Sequence, residues 1–317
     1  MLGETKVLTC EITNKCNMNC THCCIGNDKR KEPTLNMLEE TVEKTAWYCK
    51  DIRFGGGEPL LKFDYLKRLL KLAIELGASP TFTTNCVLLN DEMIKELVEI
   101  GIEKIQVSLD GIKTYEKQRQ PKCVDKVIKN IKKIVDSGIQ AYVPMCISKL
   151  NYTEVEEVIK LCAGLGVSVV KLFPVVPMGR AGKDLMVDPL TLKTVLTEAK
   201  HLGSELGIKV QTPKMFSKDE DAYYCRAGVD FFHADTEGNI SPCMFLRDII
   251  LGNIHTQDFK EIIKNGKRFH KMNLSQVDDE CLKCEYFEKC RTGCWAMSYA
   301  YNGKLLGKDP YCWRCLE

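Results

Sequence analysis

From Lys6 to about Gly179, two kinds of apolar pattern alternate along the chain. Short β-branched runs give way to longer segments whose apolar positions recur every three to four residues, the marks of strand and helix. Val7–Thr13 reads as a strand. Asn36, with Glu39 three positions on, reads as a helix N-cap in a capping box. Residues 51–54 form a short strand running into Gly55-Gly56-Gly57, and residues 65–76 a helix. Residues 81–84 form the third strand. Asn90 caps a helix whose apolar face is Met93, Ile94, Leu97 and Val98, and Gly101 stops it. Residues 105–109 form a strand, 125–137 a helix, and Gln140–Ile147 a strand. Asn151 caps the next helix, with Val155, Val158, Ile159 and Cys162 facing inward, and residues 167–173 form the sixth strand.

Repeated strand–helix units with loops of this length imply a parallel sheet with right-handed crossovers. Six units before the pattern changes predict an α/β fold, a partial (β/α)6 TIM-type barrel, with chemistry at the C-terminal ends of the strands. After Pro177-Met178-Gly179-Arg180-Ala181 the alternation weakens. A helix over 189–206 and a strand at Lys209–Gln211 end the barrel region. We therefore expect a barrel over 1–212 and a second, cysteine-rich domain over 213–317.

Composition narrows the function. Hydrophobic residues are 44% and charged residues 28% of 317, enough for a sizeable core. A net charge of +2 points to neither nucleic acid nor membrane, and Lys29-Arg30-Lys31 reads as a solvated turn. There is no apolar run long enough to span a bilayer and no signal-peptide pattern, so we expect a cytoplasmic location. In a reducing compartment 18 cysteines are not a disulfide framework; metal ligation or redox chemistry is expected.

Ten of the cysteines fall into two groups: Cys16, Cys20 and Cys23, then Cys225, Cys243, Cys281, Cys284, Cys290, Cys294 and Cys312. The first group follows strand 1. Gly56-Gly57-Glu58-Pro59 follows strand 2, Thr84-Asn85 ends strand 3, and Ser108 and Asp110 end strand 4. Four strand ends thus converge on candidate chemistry. Three thiolates suit a cubane cluster with one iron left open, since such clusters usually take four cysteines. A zinc site borrowing His22 or Cys24 is the rival reading, but zinc does not account for the glycine turn.

These residues resemble the radical S-adenosylmethionine (radical SAM) superfamily, in the C-x3-C-x2-C loop and in a GGEP motif. The resemblance implies a [4Fe-4S] cluster on Cys16, Cys20 and Cys23, its open iron chelated by S-adenosylmethionine. The backbone of Gly56, Gly57, Glu58 and Pro59 would hold the amine, glycine allowing close approach. Thr84, Asn85, Ser108 and Asp110 would line the cofactor site, Arg119 would face the methionine carboxylate, and His22 would lie beside the adenine. The implied chemistry is reductive cleavage to methionine and a 5′-deoxyadenosyl radical that abstracts hydrogen.

The last seven cysteines, with Gly238, resemble the SPASM auxiliary-cluster domain. By that resemblance Cys281, Cys284, Cys290 and Cys312 hold an outer [4Fe-4S] cluster, and Cys225, Cys243 and Cys294 an inner one. The inner set is one thiol short; it leaves an iron open to substrate or borrows Cys315, or both clusters serve as staples and electron relays. A zinc ribbon is the rival for Cys281, Cys284, Cys290 and Cys294.

Such enzymes mostly modify peptides or proteins. We expect a ribosomally made peptide, modified by crosslinking, thioether formation or epimerisation. Expected partners are a low-potential donor such as flavodoxin or ferredoxin and, with strand 1 beginning by Lys6, a separate peptide-recognition protein. The alternatives are a sulfatase-maturating type, disfavoured by Met244 where that branch has an aspartate, and a small-molecule- or haem-modifying type. A non-enzymatic electron carrier or zinc module is the other class. Cys86 and Cys24 are the candidate hydrogen-atom donors; packing is the ordinary role of a buried cysteine.

Overall fold

The computed structural model describes residues 6–26, 28–120, 122–213, 224–271, 274–314 and 316. Strands and helices alternate as β1 (Val7–Thr13), α1 (Leu35–Thr45), β2 (Asp51–Gly56), α2 (Phe63–Glu75), β3 (Ser79–Thr84), α3 (Asp91–Ile100) and β4 (Lys104–Val107). They continue as α4 (Tyr115–Arg119), α5 (Val124–Asp136), β5 (Gln140–Ile147), α6 (Val155–Leu165), β6 (Val169–Pro174), α7 (Pro189–Glu205) and β7 (Lys209–Gln211). These seven strands pair in parallel and in sequence order. When every step advances the same way, right-handed crossovers put every helix on one face of the sheet. The other face becomes the lumen of an incomplete barrel.

The two faces differ in chemistry. Leu8, Cys10, Ile52, Phe54, Ile105, Val143 and Val170 point to the helices and are fully buried. Thr9, Arg53 and Thr81 stand in register on the opposite face, with His233 of the last third beside Thr9. Glu11 lies one pleat above them. A parallel strand covered on both faces would be apolar throughout; here the lumen side is polar.

The last third is not a detached appendage. β8 (Phe231–Ala234) pairs in parallel with β1, and β9 (Asn239–Ser241) and β10 (Gly252–Asn253) extend that edge antiparallel. Phe232, Ile240, Phe259, Met297 and Tyr311 belong to the same core as Leu8 and Ile52. The expected boundary at 212/213 adjoins residues 214–223, which are outside the described residues. Among the described residues, no helix is long and apolar enough to cross a membrane.

Three local expectations are corrected. The cap of α1 is Thr34, whose extended backbone lets its hydroxyl accept the Met37 N–H at 3.3 Å; Asn36 is already inside the helix. Glu39 pairs with Arg68 at 2.6 Å instead of closing a capping box. Val98 is 45% exposed, because the buried stripe of α3 is only Ile94 and Leu97 wide. Asn151 heads a 3-10 turn and does not cap α6; its amide donates to Asp110 O and Cys146 O, each at 2.9 Å. Asn90 does cap α3, accepting Met93 N–H at 2.8 Å, and Gly101 ends that helix with φ +85°.

Candidate active site

The loop after β1 continues the β1–β2 pairing past the last strand residue. Gly57 N–H donates to Thr13 O at 2.7 Å and Glu58 N–H to Lys15 O at 2.8 Å. A Cβ on Gly56 would lie 2.3 Å from Thr13 O, and one on Gly57 2.0 Å from Lys15 O. Gly56 also has φ +111°. Both positions therefore require glycine, and the two segments lock edge to edge just where Cys16 begins the cysteine loop.

Glu58 is buried and accepts from Leu60 N–H (3.0 Å), Thr84 Oγ1 (2.7 Å) and Asn85 N–H (2.8 Å). It ties the end of β2 to the end of β3, with Pro59 opening the following 3-10 turn. Burial raises its pKa even against these donors. Asn85 reaches the cysteine loop: its Nδ2 donates to Asn17 Oδ1 at 2.8 Å and lies 4.0 Å from Cys16 Sγ. Ser108, half-buried, donates its N–H to Thr84 O at 3.0 Å.

Beyond β4 stands a buried ionic group. Asp110 Oδ2 lies 2.5 Å from Arg119 Nε and 3.1 Å from His22 Nε2, and its Oδ1 accepts Cys146 N–H at 2.6 Å. Burial opposes ionisation of Asp110, but Arg119 and His22 outweigh it and hold the carboxyl well below the usual range. Arg119 Nη1 is 4.0 Å from Cys20 Sγ. His22 Nδ1 is buried with no hydrogen-bond partner in the protein, an orphaned polar atom of the kind a ligand group satisfies. Thr21 is braced by α4, donating N–H to Gln118 O at 2.9 Å.

Cys16 is exposed, Cys20 buried and Cys23 half-buried. Burial pushes the Cys20 thiol up to about 11, so binding iron would release protons here. In the last third, Cys281, Cys284, Cys290 and Cys312 line one cavity beside Lys308 and Asp309. Cys225, Cys243 and Cys294 pack together around Ala227, Leu246 and Ala296. Burial pushes Cys290 and Cys243 up to about 12. Asp309 stands between the sets, accepting Cys294 N–H at 2.8 Å and Tyr311 N–H at 2.9 Å, and burial raises it to about 6. Cys315 lies outside the described residues.

Among the described residues no three His, Cys, Asp or Glu side chains stand close enough to hold a single metal ion. The fit to iron–sulfur clusters rests on which thiols share a loop or cavity and on the glycine cradle. On that basis the donor sets fit: soft thiolates, three on one short loop beside the glycine turn and four around one cavity.

Of the candidate hydrogen donors, Cys86 has no exposed surface. Its φ is +66°, its N–H donates to Thr84 Oγ1 at 2.8 Å, and Asn130 Nδ2 donates to its carbonyl at 2.8 Å. Cys24 is half-buried, its thiol pushed up by burial to about 12. Sequence reasoning missed the group formed by Glu11, His233, Arg247 and Asp28. Arg247 pairs with both Glu11 and Asp28, and His233 Nε2 lies 3.3 Å from Glu11 Oε1. A lone charged residue inside a strand whose other residues are uncharged was the available signal.

Residues 10–162 match the family model described as the radical SAM superfamily, and residues 225–295 the one described as the iron–sulfur cluster-binding domain SPASM. The chain is 26% identical to the AdoMet-dependent heme synthase of Methanosarcina barkeri, over 98% of this chain and 97% of that protein. It is 25% identical to the mycofactocin maturase MftC of Mycolicibacterium smegmatis, over 96% of this chain and 82% of that one. The fold is shared with Streptococcus suis SuiB bound to its precursor peptide SuiA: TM-score 0.80 and 17% identity, covering 96% of this chain and 75% of that one.

Proposed function

We propose that this enzyme, which carries a radical SAM domain over residues 10–162 and a SPASM domain over residues 225–295, modifies a ribosomally made peptide. The observation that carries the radical part is the locking of the β1 and β2 ends by Gly56 and Gly57 beside Cys16, Cys20 and Cys23. Cys16, Cys20 and Cys23 would hold the cluster, which with S-adenosylmethionine would supply one-electron reductive cleavage and hydrogen-atom abstraction from substrate.

The chain's own residues do the positioning. Glu58, Thr84 and Asn85 hold the ends of β2 and β3 together under the loop. Asp110 holds Arg119 and His22, leaving His22 Nδ1 for a ligand group. Cys281, Cys284, Cys290 and Cys312 are the proposed outer auxiliary ligands, Cys225, Cys243 and Cys294 the inner ones, and the barrel and auxiliary domains divide at 212/213. A cytoplasmic location and a flavodoxin- or ferredoxin-type donor go with this reading.

The peptide reading is supported by the likeness to a mycofactocin maturase over nearly the whole chain. A second reading, a tetrapyrrole substrate, is supported by the near end-to-end likeness to a heme synthase. The test is substrate-dependent product formation. Iron-loaded enzyme is incubated anaerobically with S-adenosylmethionine, reductant and either peptides encoded beside its gene or an iron porphyrin carrying propionates. A mass change in a peptide supports the first reading; one in the porphyrin alone replaces it with the second.

A further inference from the structure

One residue outside the reading above grips the cysteine loop at three points. Arg180 follows β6, in Pro177-Met178-Gly179-Arg180. Its Nε donates to Cys20 O at 2.8 Å and its Nη1 to Gly26 O at 3.2 Å. Its backbone N–H donates to Cys23 O at 3.0 Å. Two of these carbonyls belong to cysteines of the C-x3-C-x2-C loop. Loop carbonyls have no ladder to satisfy them, so each such donor fixes backbone that would otherwise be free to move.

The approach is too close for side chains. A Cβ on Gly179 would lie 2.3 Å from Cys23 O and 2.6 Å from Cys24 O. Gly179 and Gly26 both have φ +63°, and a Cβ on Gly26 would stand 3.2 Å from Gly179 Cα. The segment after β6 is thus carried back onto the loop that follows β1. Arginine suits the role because its planar, cationic fork serves two acceptors at once.

We propose that Arg180 is the positioning residue for the cluster loop. Through three carbonyls it fixes the directions of the Cys20 and Cys23 side chains, and its charge raises the reduction potential of the cluster they hold. Net charge and hydrogen bonding around a cluster set its potential, and a nearby cation favours the more negative, reduced form. This rests on the proposal that Cys16, Cys20 and Cys23 are the ligands.

The experiment is a reductive titration of full-length reconstituted protein, followed by electron paramagnetic resonance with and without S-adenosylmethionine. Cys16→Ala identifies the N-terminal component as the signal it removes; if it removes none, the ligand reading fails. With that component identified, Arg180→Lys is expected to keep the wild-type potential and Arg180→Gln to shift it to a more negative value. Gly179→Ala, with charge unchanged, is expected to weaken the component's response to S-adenosylmethionine while the auxiliary signals persist. If Arg180→Gln does not accumulate, Arg180→Met takes its place as the variant without charge. A wild-type potential in the uncharged variant would overturn the charge part of the proposal, and a wild-type response in Gly179→Ala the positioning part.

Discussion

Arg119 and Asp110 meet at 2.5 Å, Nε to Oδ2, where both side chains are almost withdrawn from water. The pair joins α4 to the end of β4 and leaves the rest of the guanidinium facing Cys20. Removing one member of a buried pair strands the other charge, which typically costs about 3–5 kcal/mol. Arg119→Met is therefore expected to lower unfolding free energy in urea at neutral pH by roughly that amount. The sign with pH follows from the lowered carboxyl. Its contribution is complete above the unfolded value of about 3.9 and is lost as pH falls through the lower folded value. The stability gap between wild type and variant is expected to narrow as pH falls and the stranded carboxyl of the variant protonates; a gap constant into acid would show that Asp110 is not the partner that matters.

Gly57 and Gly55 provide a paired test of the glycine turn. A Cβ at Gly57 meets Lys15 O at 2.0 Å, whereas one at Gly55 meets nothing within 4 Å. Gly57→Ala is expected to lose the N-terminal cluster, read as iron and sulfide per chain after reconstitution. Gly55→Ala is expected to load like wild type. Equal loading of the two variants would remove the close approach as the reason for glycine.

Much of this was legible in sequence because the signals were local. Asn90 and Gly101 bound α3 through backbone chemistry that neighbouring residues announce. The strand-end motifs needed only the order of the elements. What stayed hidden depends on contacts across more than two hundred residues: β8 beside β1, and Arg247 on Glu11. Asn151 misled for a related reason. It has the residue type of a cap, but two carbonyls brought close by folding, on Asp110 and Cys146, take its amide. Thr34 and Asn36 are two residues apart and both suit a cap; only the backbone angles separate them.

Asp309 links the two auxiliary sets through backbone, its oxygens accepting the Cys294 and Tyr311 N–H groups. Asp309→Ala leaves both donors without their acceptors, at about 1–3 kcal/mol each. It is expected to reduce auxiliary iron while sparing the N-terminal cluster, as Mössbauer spectroscopy would quantify. Asp309→Asn retains one acceptor oxygen and is expected to lose less. Loss confined to the N-terminal cluster would contradict this placement.

Glu11 lies on the lumen side of β1, and Arg247 joins it to Asp28, just past the cysteine loop. Burial opposes ionisation of Glu11, but His233 and Arg247 lower its pKa on balance. Glu11→Gln is expected to destabilise the protein at neutral pH, the difference fading in acid as the wild-type carboxyl protonates. Urea melts at a series of pH values read this directly, and unchanged stability at neutral pH would rule out a structural role for the pair.

The central claim is that Cys16, Cys20 and Cys23 support reductive cleavage of S-adenosylmethionine. It is tested most directly by anaerobic assay of 5′-deoxyadenosine by mass spectrometry, with iron-loaded wild type and Cys16→Ala side by side under strong reductant. The account predicts product from wild type and none from the variant. Equal product from both, or none from a fully loaded wild type that binds S-adenosylmethionine and is supplied with its peptide, would contradict it.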